Sequence, residues 1–551
     1  MKRRVFTFLV GGKAGEGVKK AGSVAAHLLA GMGRRVFQMD DYQSLIRGGH
    51  NFSVISSSTG EITSHYMNAD LVVALDARSH QLHKNHLSDK GVLVFNSDAE
   101  GKSQGVGIPM TSQAEKYPQP ALRIGVSAIA ILVSALGLDI KRMHALIEKE
   151  YPRDIENNIA YADSIYDHAQ PIIGGRFPLN PGDGEKPILS GNQAMGLGAI
   201  AGGLDVYLGY PMTPSSPLLH FLAAQAEDFG LAVVHPESEV AVANMAIGAA
   251  AAGAKTMVGT SGGGLALMDE AFSLAGMTET PLLCVLGSRP GPATGVPTYT
   301  EQGDLGFALN KGHGEFPRIV AAPGNLEEAY YLASEMLSIV WKFQTPGIIL
   351  TEKHLAESRM TVDLNVQEAK WAQPKMHKTG KYRRYLDVAD GISPLLFPPS
   401  KEVIKWNSYE HDQVGITTEK AEIIAQLHDK RHRKNVAIIK YLKSLRTVNE
   451  YGKKGPVIVT YGSTTMSVLE ALKAGGIKAQ VIQPVFLKPL PVWELKKRIG
   501  STPVVIEQSC AGQFATLLRD KLDIEPQAVI RKYDGRPFDP EELARQIKEV
   551  I

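Results

Sequence analysis

The sequence predicts a multi-domain α/β protein with parallel-sheet domains, on three observations. Its 551 residues correspond, at roughly 150 per domain, to about three or four domains. Hydrophobic residues make up 44% of the chain and charged residues 21%, ordinary globular values that allow sizeable cores and exclude general disorder. Short apolar strands, glycine turns and helices alternate along most of the chain, the pattern of strands joined by crossover helices.

The first domain, residues 1–175, opens with RRVFTFLV, the turn GGKAGEG, the helix VKKAGSVAAHLLAGMG and the strand RRVFQMD, read as parallel α/β patterning. It continues through ADLVVALD, GVLVFNS and a helix from Ala128. Residues 176–186 form a linker, since GGRFPLNPGDGEK is rich in Gly and Pro and has no helical or alternating period. A second α/β block, residues 187–357, holds an Ala-rich helix after Pro236 and the strands PLLCVLGS and TPGIILTE. Residues 358–454 are polar, with few long apolar runs apart from one basic helix around Lys434 to Arg446, and are read as an extended connector. Residues 455–551 return to strict alternation: PVIVTYGS, AQVIQPVF, TPVVIEQS and AVIRKYDG, with helices through Val468, Trp493 and Phe514 and a last one to Ile551.

Composition limits function. With 59 basic and 57 acidic residues the net charge is +2, so no polybasic footprint for nucleic acid appears at that level. The longest uncharged apolar stretches, Ile124 to Leu138 and Val240 to Ala254, fall short of the roughly 20 residues that cross a bilayer. The run Val5 to Val10 is too short for a signal peptide and ends in glycines beside Lys13 and Glu16, so it reads as the first strand of a cytoplasmic chain. Two cysteines, Cys284 and Cys510, cannot supply the thiolates of an ordinary iron–sulfur cluster or a structural zinc site, and no metal site is expected in this chain. Any electron carrier then lies elsewhere.

Several motifs have both a chemical and a plain structural reading. GGKAGEG follows a strand and opens a helix, but Ala14 stands where a dinucleotide fingerprint has its second glycine between Gly12 and Gly17. Asp40 and Asp41, a little over about 20 residues further on, keep an NAD site as an alternative. The turn brings backbone N–H groups to a helix N-terminus, where anions bind, and Arg47, Gly48, Gly49 and His50 form a second basic turn; both can also be mere connections. Gly182, Asp183 and Gly184 resemble the start of a thiamine diphosphate and magnesium motif, yet prolines precede them and no Asn pair follows, so they read as linker. His80, His83 and His86 lack a carboxylate or cysteine to complete a tetrahedral set and read as a solvated helix face.

In DVYLGYPMTPSSP a strand enters a helix start, where Thr213, Ser215 or Ser216 either caps the helix or holds a carboxylate ligand. Arg289 follows LLCVLGS in the same way, and parallel strands place both turns at one carboxyl edge, where ligands bind. HPESEVAVANMAIGAAAAGAK puts Glu237 and Glu239 before a run that is apolar on all faces and is read as a helix buried on all sides. Either these carboxylates merely complement the macrodipole, or one of them points into a low-dielectric site and shares a proton with a ligand.

YPMTPSS, the ESEVA helix, TSGGGLALMDEA, SRPGPATGVPTYTEQGDL, GHGEFPRIVAAP and SYEHD, in that order, resemble the alpha subunit of 2-oxoacid:ferredoxin oxidoreductases. The form resembled has the gamma domain fused at the N-terminus, to whose turns GGKAGEGV and IRGGH are similar. The resemblance runs nearly end to end and fits the 2-oxoglutarate branch best, because the whole chain with its long connector looks like that two-subunit arrangement. Pyruvate or broad 2-oxoacid specificity is the alternative within the family. A nucleotide-binding regulatory or scaffold protein, supported only by the N-terminal turns, is the alternative of another class, and a self-contained thiamine lyase or transketolase is disfavoured by the incomplete metal motif.

The resemblance implies a gamma-type domain at residues 1–175, a pyrimidine-binding-type domain at 187–357 and a transketolase C-terminal-like domain at 455–551. It implies the oxidative decarboxylation of a 2-oxo acid with coenzyme A to acyl-CoA and carbon dioxide, with ferredoxin reduced, or the reverse. Thiamine diphosphate with Mg2+ would be shared with a beta subunit that also carries a 4Fe–4S cluster, none being in this chain. The implied partners are that beta subunit and ferredoxin, in an (alpha-beta)2 heterotetramer, with no nucleic acid and no membrane. Residue by residue, Glu239 would meet the aminopyrimidine N1′ as the catalytic group, and Thr213 and Arg289 would hold the substrate's carboxylate and keto oxygen. Gly15, Gly17 and Arg47 would lie near the coenzyme A phosphates.

Overall fold

In the computed structural model, which describes residues 5–44, 49–101, 103–500 and 502–551, the strands anticipated from the alternating pattern assemble into sheets of eight, seven and five strands among the described residues. Two units are distinguished, each with its own core.

One unit comprises the described residues up to Leu189 with Ser358–Asp363 and Asp539–Glu541. Its sheet runs Val106–Ile108, Leu87–Asn96, Ala69–Ala74, Val5–Lys13, His50–Ser58, Arg35–Tyr42, Arg359–Thr361, Ile188–Ser190. Val5–Lys13 and Ala69–Ala74 are parallel, with Phe8 opposite Leu71. The parallel expectation fails at His50–Ser58, which is antiparallel to both Val5–Lys13 and Arg35–Tyr42. The reason is chain length: residues 43–49 are far fewer than the dozen or so that a parallel crossover needs. That strand, HNFSVISSS, was also hidden by its serines, which are buried and hydrogen-bonded. Ser57 Oγ accepts from Arg34 Nε (2.7 Å), and Ser53 Oγ donates to Asp40 (2.6 Å). The apolar stretch from Ile124 forms a helix, Ile124–Leu136, buried at every residue. Among the described residues no helix is long and apolar enough to cross a membrane. The Gly–Pro segment lies on this unit: the Gly182 N–H donates to Met32 O (2.9 Å).

The other unit comprises Ser190–Glu357, Leu364–Phe538 and Glu542–Ile551. Its larger sheet runs Phe486–Lys488, Ile319–Ala321, Pro346–Glu352, Leu282–Ser288, Thr256–Ser261, Val206–Gly209, Ala232–Val234. Only the edge strand Phe486–Lys488 is antiparallel to its neighbour. Leu282–Ser288 and Pro346–Glu352 are buried at every position, as their continuous apolar runs require of strands covered on both faces. The crossover helices start on side-chain caps: Ser190 and Gln193 form a capping box before Gly191–Ala201, and Asn325 accepts the Glu328 N–H before Leu326–Phe343. The smaller sheet, Val448–Tyr451, Gln480–Pro484, Val457–Val459, Val504–Glu507, Ala528–Arg531, is parallel apart from its first strand. Val258 and Leu286 of the larger sheet share one apolar cluster with Val459, Phe514 and Leu518 around the smaller one.

Polar groups join the two sheets as well. The Gln302 amide donates to Tyr461 O (3.0 Å), while its oxygen accepts from the Thr464 hydroxyl (2.9 Å) and the Gln508 N–H (3.0 Å). Glu352, at the end of its strand and buried, accepts the Ser463 N–H (3.0 Å). Burial pushes its pKa up to about 7, an effect that the Ser463 contacts only partly offset.

The connector carries a helix longer than its sequence reading, Ala421–Leu442 rather than a piece around Lys434 to Arg446. Its buried face mixes Lys430, Arg431 and Lys434 with Leu427, Ile438 and Leu442, so the apolar periodicity is broken. Lys430 Nζ lies 2.7 and 2.8 Å from the two oxygens of Glu279, and Lys434 Nζ 2.5 Å from one of them. Arg384 donates to the carbonyls of Thr278 (2.9 Å) and Glu279 (2.7 Å). Burial alone would raise the Glu279 pKa; the charges of Lys430, Lys434 and Arg384 outweigh it and keep the carboxylate ionised. The Lys434 ammonium is in turn pushed down to about 7, by burial.

Glu279→Gln leaves Lys430 and Lys434 buried without a counter-charge and should destabilise this unit by about 3 to 5 kcal/mol in denaturant unfolding; the exposed Glu525→Gln should change nothing measurable. For Glu352 the folded pKa lies above the unfolded one, so its protonated form stabilises below the unfolded pKa and that contribution is lost as pH rises through about 7. Glu352→Gln keeps an acceptor for Ser463 and cannot ionise. Relative to the native chain it should gain about 3 kcal/mol between about pH 5 and about pH 8, and a gap that stays flat with pH would contradict this.

Candidate functional site

The larger sheet of the second unit places several chain turns at one edge, because its central strands end nearly level. Gly209 lies beside Gly259, Ser261 beside Gly287, and Ser288 beside Glu352. Thr213 follows the first of these strands and Arg289 the third, and the structure brings the two together: Arg289 Nη1 donates to Thr213 O (2.9 Å). Gly287 makes room for the loop, since a Cβ there would come within 2.7 Å of Pro214 Cγ. Thr213 does not cap the helix Ser216–Phe229; Ser215 is the N-cap residue, and its hydroxyl donates to Met212 O (2.8 Å).

Arg289 is buried, and its Nε has no hydrogen-bond partner among the described residues. Burial lowers its pKa against the opposing charge of Asp304. Asp304, which sequence reasoning did not single out, lies beside this turn with Oδ2 unpartnered among the described residues. Burial raises its pKa in spite of Arg289. Its only sequence signal is membership of the run SRPGPATGVPTYTEQGDL.

Glu239 is the first residue of the helix Glu239–Ala251, whose N-cap Ser238 hydroxyl accepts the Ala241 N–H (3.3 Å). Of the two candidate carboxylates Glu239 is buried, at 5% exposure, whereas Glu237 is exposed. Its carboxylate lies over the end of the strand Thr256–Ser261: a Cβ on Gly264 would meet Glu239 Oε1 at 2.6 Å and Thr260 Oγ1 at 2.1 Å. A glycine is required there. Among the described residues no group donates a hydrogen bond to the Glu239 carboxylate.

The helix itself departs from expectation. It is not buried on all sides: Val240 and Met245 are 49% and 46% exposed, and Leu267 of the adjoining helix Gly262–Leu267 is 58% exposed. Uniform apolarity says that a face leaves water, not which molecule covers it.

In the first unit, Gly17 (φ 78°) is the N-cap of the helix Val18–Ala30, which has no acidic residue in its first turn. Gly15 (φ 101°) is exposed at the tip of the turn. The turn is closed by Glu16, whose carboxylate accepts the Lys13 N–H (2.7 Å) and whose pKa is raised by burial. Arg47 and Gly48 lie outside the described residues.

The histidine triplet is not a solvated face. His80 and His83 are buried, His50 Nε2 approaches His83 Nε2 (2.9 Å), and His83 Nδ1 approaches His86 Nδ1 (3.1 Å). Burial, then the neighbouring His50 and His86, lower the His83 pKa to about 3, so the ring is neutral. Sequence reasoning places His50 in a basic turn and does not connect it with the triplet, because it opens the strand His50–Ser58, which local patterning does not reveal. Among the described residues no group of three or more His, Cys, Asp or Glu side chains is arranged to hold a metal ion.

Comparison with known proteins agrees with this architecture. Residues 197–430 match the family model described as pyruvate flavodoxin/ferredoxin oxidoreductase, thiamine diphosphate-binding, and residues 7–168 match pyruvate ferredoxin/flavodoxin oxidoreductase. A 2-oxoacid:ferredoxin oxidoreductase subunit alpha of Saccharolobus solfataricus is 29% identical over 99% of this chain and 98% of its own. The 2-oxoglutarate synthase subunit KorA of Archaeoglobus fulgidus is 30% identical, covering 60% of this chain and 89% of that relative. Among solved structures, the 2-oxoglutarate:ferredoxin oxidoreductase of Magnetococcus marinus, with 2-oxoglutarate, coenzyme A and succinyl-CoA bound, superposes with a TM-score of 0.91 over 100% of both chains, at 27% identity.

Proposed function

The chain belongs to the alpha subunits of the 2-oxoacid:ferredoxin oxidoreductases, and on that premise we propose that its substrate is 2-oxoglutarate. With coenzyme A it is converted to an acyl thioester and carbon dioxide as ferredoxin is reduced, or formed in the reverse direction. The choice of 2-oxoglutarate rests on the similarity to the Archaeoglobus fulgidus and Magnetococcus marinus proteins; the observation that supports thiamine-dependent chemistry is Glu239, a buried carboxylate without a donor among the described residues, packed against Gly264. Such a group fits an aminopyrimidine nitrogen with which it exchanges a proton. What thiamine diphosphate supplies when bound is a carbon nucleophile toward 2-oxo acids.

The residues of this chain orient and hold. Arg289, whose Nε has no partner among the described residues, offers paired N–H donors to the substrate's 1-carboxylate, and the Thr213 hydroxyl donates to the keto oxygen. The Arg289 contact to Thr213 O fixes the two turns relative to each other. Gly15 and Gly17, before a helix whose first turn has no acidic residue and beside Glu16, whose carboxylate is engaged by the Lys13 N–H, would receive the phosphates of coenzyme A together with Arg47.

A beta subunit completes the enzyme in this reading, as an (alpha-beta)2 heterotetramer. It supplies the diphosphate and Mg2+ ligands that Gly182 to Gly184 lack, and the 4Fe–4S cluster that two cysteines cannot hold. The exposed apolar residues Val240, Met245 and Leu267 beside Glu239 support a covering partner. Within the chain we assign residues 1–175 to a gamma-type domain, 176–186 to a linker, 187–357 to a pyrimidine-binding-type domain, 358–454 to the connector and 455–551 to a transketolase C-terminal-like domain.

Glu239→Gln keeps the shape but cannot exchange a proton, so proton exchange at the thiazolium carbon of the assembled enzyme should slow by about 100-fold or more while cofactor still binds. Glu237→Gln should be near normal; if it were the damaging change, the assignment within the pair is reversed. Arg289→Lys should cost roughly 2 to 4 kcal/mol in kcat/KM, equally for 2-oxoglutarate and pyruvate, because both carry the 1-carboxylate. A loss confined to 2-oxoglutarate would move Arg289 to the distal carboxylate, and unchanged kinetics would leave it only its contact with Thr213.

A further inference from the structure

The run GHGEFPRIV, which the proposed reaction does not use, borders a half-open cavity of about 830 Å³ in the second unit. It is separate from the site above. Arg318 of this run immediately precedes the strand Ile319–Ala321 and so lies at the amino edge of the sheet, whereas Thr213 and Arg289 follow carboxyl ends.

The chemistry of the lining is specific. Phe316, Ile439, Leu490 and Leu517 give apolar walls. Arg318, Lys488 and Lys521 also line it, against Asp520 as the acid. Arg318 lies over the Phe316 ring (4.0 Å) and gives Nη1 to Gly312 O (3.4 Å) and Nη2 to Gly314 O (3.3 Å). Its buried Nε has no acceptor among the described residues. Lys488 Nζ donates to the carbonyl of Leu309. Burial, then the positive charges of Arg318 and Lys521, push the Lys488 pKa down to about 8. Asp269, outside the lining, offsets part of the Arg318 charge; the three cations still outnumber the nearby acids, and a bound anion relieves their repulsion. The volume falls in the range of about 300 to 1,000 Å³ typical of small-molecule sites and far exceeds what an inorganic anion fills.

We propose that this cavity is a second ligand site of the chain, binding an amphipathic anion. A carboxylate or phosphate head sits among Lys488, Arg318 and Lys521, and an apolar chain lies along Phe316, Ile439, Leu490 and Leu517. The site is independent of the substrate assignment.

The test is calorimetric titration of the chain assembled with its partner subunit, with 2-oxoglutarate present to occupy the substrate site. Decanoate and decyl phosphate are compared with decanol and inorganic phosphate. At least one of the two amphipathic anions should bind at least about tenfold more tightly than either control, and the stronger of the two identifies the head group. Lys488→Met and, independently, the cavity-filling Leu517→Trp should each weaken that binding by about tenfold or more, with kcat unchanged in the absence of ligand. Decanol binding as well as decanoate, indifference to both variants, or no binding by the assembled enzyme would each overturn the proposal. The last outcome would assign the cavity to a protein contact.

Discussion

The candidate site of this chain depends on one constraint, the level register of its parallel strands. In a parallel sheet every strand points the same way, so the turns that leave the strands gather at one edge. Gly209 beside Gly259 and Ser261 beside Gly287 bring the turn carrying Thr213 level with the turn carrying Arg289. Small residues then let side chains and loops close over that edge. Gly287 lies under Pro214, and Gly264 lies under Glu239 and Thr260. A one-residue slip of a strand would turn its side chains to the opposite face and carry these turns out of level.

Charge, not only apolar burial, holds the second unit together. Glu279 is surrounded by Lys430, Lys434 and Arg384, all buried, and through them it ties the long connector helix and the segment around Arg384 to the end of the helix before Pro281. Desolvating so many ions is expensive, and it is offset here by short contacts and by backbone carbonyls that accept from Arg384 and Lys434. A buried ionic cluster of this kind specifies one docking geometry, because any displacement leaves an unpaired charge in a dry interior.

Two departures from the sequence reading have a common origin. The histidine triplet was read from its own helix, where nothing completes a ligand set, but His83 is buried by His50 arriving from a distant strand. The helix after Ser238 was read as wholly buried, but its apolarity serves partly the chain's own core and partly an exposed face bearing Val240 and Met245. In both cases the local spacing of residues does not fix their environment, which depends on residues brought in from another element or on a face left exposed in this chain.

The sequence by itself determined the α/β class, most strand positions, the family, and the common carboxyl edge of the turns that carry Thr213 and Arg289. Those follow from apolar alternation, glycine turns and the rule that parallel strands share a carboxyl edge, all of which are local signals. Only the tertiary structure decided that Glu239 rather than Glu237 is buried, because two carboxylates two residues apart differ in nothing but the direction in which the helix start presents them. It also decided the antiparallel serine-rich strand, the extent of the connector helix and the place of Asp304 beside Arg289. Their partners are polar, so no local hydrophobic pattern records them.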